Sequence, residues 1–289
     1  MGDVAARRAA VTALLSVYFG QVPAAPEVTV THHACTAPDG AEVPLSLYLP
    51  PGGAGGGLVV YCHGGGMIMG SVPLYDPWLR MLASRSGVAL LAPDYRVAPE
   101  HPHPAPVEDC FAALRWAADN AAVHGCDPAR LGVAGDSAGG GLAAALALLA
   151  RDRRGPALRR QILVYPMLDD RNRTASPSTP GLVLWSHDDN ATGWGALLGD
   201  GAGGPDVEPY AAPARATDLA GLPPAYVMVG DGDIFLAEDL EYARALVAAG
   251  VPVELHVHLG GPHAFDFFAP DSGIGARALA DEVRALQSV

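Results

Sequence analysis

Ser137 stands in Gly135-Asp136-Ser137-Ala138-Gly139, a G-x-S-x-G string. The string alone is weak, because a chain with 35 glycines produces it by chance. Its surroundings give it meaning. The apolar run "RLGVAGD" precedes the serine and the alanine-rich run "GGGLAAALALLA" follows it, so a strand passes straight into a helix. A turn that sharp crowds the backbone and demands small residues two before and two after the central position. It also lifts the hydroxyl clear of the sheet, where the new helix offers free N–H groups and the positive end of its dipole. That is the setting of a nucleophile that attacks a carbonyl. The competing use of glycines at a helix start is a phosphate-binding loop. That loop needs a lysine, and all 18 basic residues here are arginine.

A nucleophilic serine needs oxyanion donors, a base and an acid. His63-Gly64-Gly65-Gly66 closes an apolar run. Glycines there let backbone N–H groups approach a developing oxyanion. The remaining donor falls on the N–H of Ala138, just after the serine. His63 itself is taken as an anchor of the loop, since a base beside the sheet at that point would be redundant. The base falls late in the chain, on His263 in "HLGGPHAFDFF". The acid candidates lie in "VGDGDIFLAEDLEYA": Asp231, Asp233, Glu238 and Asp239. Glu238 and Asp239 would sit in the first turns of a helix, where acids complement the dipole. His256 and His258 alternate as strand residues do. They are read as strand residues rather than catalysts; His101 and His103 flank prolines, His187 precedes two aspartates, and neither of those groups has a metal-ligand spacing.

The elements that would hold these residues alternate along the chain. Strand-like runs begin at Glu42, Gly57, Val88, Arg130, Gln161, Ala225 and Val251. Helical periodicity covers "APVEDCFAALRWAADNAAVHG" from Ala105, the stretch after Ser137, residues 236–249 and the C-terminal residues. Strands rich in Val and Leu between helices predict a mostly parallel sheet covered on both faces. Two segments stand outside the alternation: residues 1–35, and 169–222 with a short helix over 191–198. The first opens with an amphipathic pattern, here expected to be a retained helix although its two arginines and apolar stretch mimic a secretory leader.

Composition narrows the partners. A net charge of −13 on 289 residues speaks against nucleic acid, which requires clustered positive charge. No apolar run reaches membrane-span length. Four scattered cysteines, Cys35, Cys62, Cys110 and Cys126, fit buried free thiols and a reducing, cytoplasmic setting.

Taken together, HGGG at His63, "DYRVAPEHPHPAPVED" from Asp94, GDSAG at Gly135, "YPMLDDR" from Tyr165, "GDGDIFLAED" from Gly230 and "GGPHAF" from Gly260 make the chain resemble the hormone-sensitive-lipase-like family of α/β-hydrolase carboxylesterases. The resemblance covers nearly the whole sequence. It implies a single α/β-hydrolase domain over 1–289, with a helical cap drawn from about 1–35 and about 169–222. It implies catalytic Ser137, Asp233 and His263, an oxyanion hole on Gly65, Gly66 and Ala138, no metal and no organic cofactor. It is compatible with a homodimer. The expected activity is hydrolysis of short- to medium-chain acyl esters through an acyl-enzyme; a dedicated deacetylase, amidase or lactonase would use the same triad. A non-catalytic receptor on this fold is the remote alternative, and the presence of His263 opposes it. Bulky residues expected at the substrate pocket are Met67, Met69, Trp185 and Trp194. Two departures stand out. Many relatives carry Asp-Pro-Leu and His-Gly-Phe where this chain has Asp233-Ile234-Phe235 and His263-Ala264-Phe265, differences that bear on substrate rather than on reaction.

Overall fold

Eight strands form one sheet: β1 (Thr29–Thr36), β2 (Glu42–Leu49), β3 (Leu58–Cys62), β4 (Ala89–Pro93), β5 (Leu131–Asp136), β6 (Arg160–Val164), β7 (Ala225–Gly230) and β8 (Val253–His258). The computed structural model describes residues 2–53, 56–172 and 184–289. Spatial order is β1-β2-β4-β3-β5-β6-β7-β8. β2 runs antiparallel to both neighbours, and every pairing from β4 to β8 is parallel. The helices are α1 (Val4–Phe19), α2 (Val72–Ser86), α3 (Ala105–Asn120), α4 (Ala138–Asp152), α5 (His187–Leu198), α6 (Leu236–Ala248), α7 (Phe265–Phe268) and α8 (Gly273–Gln287).

Side chains alternate across the sheet with period two, and the core divides accordingly. Leu58, Val60 and Cys62 of β3 join the apolar cluster that includes residues of α3, α4 and α6. Val59 and Tyr61 join the cluster on the other face, with residues of α1, α2, α7 and α8. This is the doubly covered, mostly parallel sheet that the alternation predicts. Helix α4 is buried from Ala138 to Ala150. Its alanines and glycines are what let it lie so close: a Cβ on Gly141 would overlap the carbonyl oxygen of Met167.

Two elements lie outside the sequence expectation. Residues 29–36 belong to the sheet as edge strand β1, in register from Thr29 opposite Leu49 to Thr36 opposite Glu42. That leaves α1 and the turn after it as the N-terminal part outside the sheet. Helix α2 begins at an N-cap on Ser71, whose side chain accepts from the N–H of Leu74, and it carries Pro73 in its first turn and Pro77 inside. Proline at a helix start costs nothing, because that N–H has no partner within the helix.

Candidate active site

The strand order places the candidate residues together. β4 lies on one side of β3 and β5 on the other. A crevice opens at such a switch point, beyond the carboxyl ends of the strands. Cys62 pairs with Gly135 in register, so the loop from His63 emerges directly beside the Ser137 turn. Asp233 follows β7 and His263 follows β8, whose ends pair at Gly230 and His258. Four strand ends therefore deliver four parts of one site.

At the turn, Ser137 has φ 56° and ψ −121°, a strained conformation for a residue with a side chain. Its backbone is pinned on both sides. The Ser137 N–H donates to the Val164 carbonyl at 2.8 Å, and the Ser137 carbonyl accepts from Gly141 at 3.0 Å and Met167 at 2.9 Å. The flanking glycines are required by space. A Cβ on Gly135 would overlap the Gly139 carbonyl, and one on Gly139 would overlap the carbonyl of Cys62.

His263 Nε2 lies 3.0 Å from Ser137 Oγ, and its Nδ1 lies 2.7 Å from Asp233 Oδ2. The Phe235 N–H donates to Asp233 Oδ1 at 3.0 Å, which fixes the carboxylate plane. The imidazole sits between the ring edges of Tyr165 and Phe235, at centroid distances of 4.9 and 5.2 Å. The loops after β7 and β8 touch backbone to backbone: the Gly232 N–H donates to the Gly261 carbonyl at 3.0 Å, and a Cβ on Gly230 would overlap Gly261. Asp231 faces elsewhere. Its Oδ1 accepts the Gly260 N–H at 2.6 Å and braces the turn ahead of His263.

The glycine loop faces the serine. Gly65 and Gly66 have φ 129° and 59°, conformations that suit glycine. Among the described residues, no hydrogen-bond acceptor takes either N–H. The Ala138 N–H opens α4 and has no intrahelical partner by position. His63 is an anchor, as expected. It is buried, its Nδ1 lies 2.8 Å from the Gly64 carbonyl, it stacks on Tyr95 at 4.2 Å, and burial lowers its pKa.

Beneath the serine lies a buried set of acids that the motif arithmetic did not single out. Asp136 accepts from Tyr75 at 2.9 Å, Tyr61 at 3.2 Å and the Gly64 N–H at 3.1 Å, tying the glycine loop to the strand that leads into Ser137. Burial raises its pKa to about 7 against the pull of those donors. Asp266, which accepts from Tyr165 at 2.8 Å, is raised to about 6, also by burial. Glu238 and Asp239 lie in the first turn of α6, as the sequence suggests, and both are buried there. Glu238 Oε1 accepts from Leu168 at 2.7 Å and Asp169 at 3.1 Å, anchoring the start of the insertion after β6. Burial lifts Glu238 to about 8.

A cavity of about 70 Å³ lies over Ser137 and His263. Of the four bulky candidates, Met69 and Trp185 line it. Met67 and Trp194 do not. Met67 is buried in the core with Cε on the α4 side, near Gly141, and Trp194 is fully buried on α5. The opposite wall is Val11, Leu14 and Leu15 of α1. The arginines that resembled a leader's basic region tie that helix down. Arg7 pairs with Asp188 and, at 2.7 Å, with Asp189 of α5. Arg8 reaches the Ala98 carbonyl and Glu100, each at 2.7 Å. The part of the insertion over 173–183 lies outside the described residues.

Comparison with known proteins agrees with this geometry. A family model described as the alpha/beta hydrolase fold matches residues 59–267. The chain is 38% identical over 239 residues to Esterase LipI of Mycobacterium tuberculosis, covering 81% of this chain and 69% of that protein. It is 37% identical over 250 residues to Carboxylesterase NlhH of the same organism, covering 85% and 78%. Among solved structures, a bacterial heroin esterase superposes with a TM-score of 0.91 at 35% identity, covering 99% of this chain and 91% of that one. No helix among the described residues is long and apolar enough to cross a membrane. The chain belongs to the hormone-sensitive-lipase-like family of α/β-hydrolases and is a hydrolase acting on carboxylic esters.

Proposed function

We propose that this hydrolase cleaves short- to medium-chain acyl esters through an acyl-enzyme on Ser137. The observation that carries the reading is the hydrogen-bonded line from Ser137 through His263 to Asp233, facing the N–H groups of Gly65, Gly66 and Ala138. Ser137 Oγ attacks the ester carbonyl while His263 Nε2 takes its proton. Asp233 accepts the Nδ1 proton in a hydrogen bond and stabilises the imidazolium. The three backbone donors take the oxyanion, each worth about 10²–10³ in rate. Collapse expels the alkoxide, which receives the proton from His263. Water, deprotonated by the same imidazole, then releases the acid and restores Ser137.

The small cavity supports the short end of an acyl range of roughly two to eight carbons. Helix α1 and the described insertion residues from 184 onward serve as the cap. A second copy pairing along the open edge of β8, where Leu255, Val257 and Leu259 are exposed, is the oligomer we assign. The four free thiols support the reducing cytoplasm as its setting. A serine-directed phosphonate should add once, on Ser137, and Ser137→Ala should abolish turnover of p-nitrophenyl esters. Labelling elsewhere, or an active mutant, would remove Ser137 from the mechanism. Running amide and lactone substrates beside the ester series decides between an esterase and a dedicated deacylase, amidase or lactonase, which the triad alone does not separate.

A further inference from the structure

We propose that His256 and His258 of β8, with Asp281 of α8, form a binding site for a divalent transition-metal cation, zinc foremost, separate from the hydrolytic site. Residues two apart on a strand face the same way, and the two imidazoles lie nearly parallel with centroids 6.1 Å apart. Helix α8 brings Asp281 against them. One ligand atom from each of the three lies within 4.8 Å of the others. A zinc ion about 2.0–2.2 Å from each donor spans that separation after small side-chain movements.

The surroundings favour a ligand set over an ordinary ion pair. His256 Nε2 lies 3.0 Å from Glu254 Oε1, and Nδ1 lies 3.4 Å from Asp281 Oδ2. A metal-binding histidine typically gives its other N–H to a carboxylate, which sets the tautomer and turns the remaining lone pair toward the metal. With that tautomer, the His256 lone pair and the Asp281 oxygen converge. The carboxylates are themselves held. Arg284 contacts Asp281 Oδ1 at 2.8 Å and Glu254 Oε1 at 2.6 Å, and Arg160 contacts Glu254 Oε2 at 2.7 Å. His258 supplies an independent observation: it is 8% exposed, and its Nε2 is buried without a hydrogen-bond partner. Arg277 and Arg284 oppose a cation; both are exposed, and Arg284, which contacts Asp281 Oδ1 rather than the Oδ2 that faces His256, can swing into solvent when an ion binds. A set of two imidazoles and one carboxylate suits zinc, cobalt, nickel or copper better than magnesium or calcium. In the single chain an open cleft of about 510 Å³ gives access, bordered by His256, His258, Arg277 and Asp281 and by Leu255, Val257 and Leu259 of the proposed pairing edge, so a bound ion would sit beside that edge. Sequence spacing missed the site because its third ligand comes from a different element. A bound ion would clamp the last strand to the last helix, just upstream of the loop that carries His263.

The test uses the full chain stripped with chelator. Zinc titrated calorimetrically should bind at one ion per chain and raise the melting temperature. Cobalt should give visible ligand-field bands without a thiolate charge-transfer band, which excludes the four cysteines. Asp281→Asn and His256→Asn should each weaken zinc binding at least tenfold, the His256→Asn/His258→Asn double variant at least 100-fold, and Glu254→Gln about tenfold. His33→Asn should leave binding unchanged, and esterase activity should be unaltered in every variant. Absence of zinc binding to the parent chain, or a double variant that binds as tightly as the parent, overturns the proposal. So does a thiolate band with cobalt. If the double variant does not fold, the two single variants decide.

Discussion

Replacing Asp233 by asparagine should cut kcat by about 10⁴ while leaving the fold intact. The size follows from which atom of the new amide faces His263. Asp233 Oδ1 accepts the Phe235 N–H at 3.0 Å and Oδ2 meets His263 Nδ1 at 2.7 Å. An asparagine keeps the first bond only by placing its carbonyl oxygen toward Phe235. Its NH₂ then points at Nδ1 and donates to it, so the proton of the neutral ring moves to Nε2. That nitrogen can no longer accept from Ser137, and a wrong tautomer of this kind costs about 10⁴ in turnover, or about 5.5 kcal/mol at 1.36 kcal/mol per decade. Flipping the amide would set NH₂ against the Phe235 N–H and leave a buried donor unpaired, at about 1–3 kcal/mol. The assay is steady-state hydrolysis of p-nitrophenyl acetate and butyrate, with circular dichroism to verify folding. Asp231→Asn is the control, because Asn can still accept the Gly260 N–H. Glu238→Gln and Asp239→Asn should likewise cost far less than Asp233→Asn. A tenth or more of parent activity in Asp233→Asn would refute the reasoning, and so would Asp231→Asn proving the crippling change.

Gly66→Ala should lower kcat by about 10²–10³, because the new methyl would overlap the Trp185 ring and displace an oxyanion donor; a loss under tenfold would take Gly66 out of the oxyanion hole. Ala264 holds φ 58°, in the left-handed region that favours glycine, and its side chain lines the cavity. Ala264→Gly should change stability by no more than about 1 kcal/mol while raising kcat/KM for branched acyl esters relative to acetate, as measured by parallel denaturation and kinetics. Arg8→Ala, which frees α1 from Ala98 and Glu100, should raise KM for the longer acyl chains with little change in phosphonate labelling of Ser137.

The residues of the proposed triad are more legible in the sequence than the walls around them. Ser137, Asp233 and His263 each follow a strand whose Val/Leu-rich run announces itself, and parallel pairing brings the strand ends together. Met69 and Trp185 were placed at the pocket because they are bulky and near the motifs. The same logic failed for Met67 and Trp194, because side-chain direction depends on packing: Met67 has φ 64° and sends its side chain into the core. Edge strand β1 is not legible because its residue types, TVTHHACT, do not alternate between apolar and polar, although burial in the fold alternates from Thr31 to Thr36, and its partner β2 specifies it. Helix α2 was hidden by Pro73 and Pro77, which suggest breakage until Ser71 is recognised as the cap. Glu238 lies in the first turn of α6, where the sequence puts it, but nothing local reveals its burial, which comes from the insertion after β6 folding back over this turn.

That buried acid also determines how stability should respond to pH. Burial raises Glu238 to about 8 and Asp136 to about 7, and pushes Asp239 and Glu282 well above the ordinary carboxyl range. A group whose folded pKa lies above its unfolded value stabilises fully below the unfolded value. That contribution is lost as pH rises through the folded value. Four histidines, His33, His63, His103 and His258, are lowered mainly by burial. They act in the opposite direction, a contribution that fades as pH rises past about 6.5, the midpoint of unfolded histidine. Carboxylates lowered by ion pairs, such as Glu254 at about 2, matter only in acid. Between about pH 7 and 8 the buried acids therefore outweigh the histidines. Each carboxyl that the fold keeps protonated after the unfolded chain has lost its proton makes stability fall by about 1.4 kcal/mol per pH unit. Urea denaturation at half-unit steps across that window measures the slope. Glu238→Gln keeps a neutral side chain of the same shape and should flatten the slope by about one proton's worth toward its upper end. A stability that stays level or rises from pH 7 to 8 in the parent chain would mean that these carboxyls are not held protonated by burial.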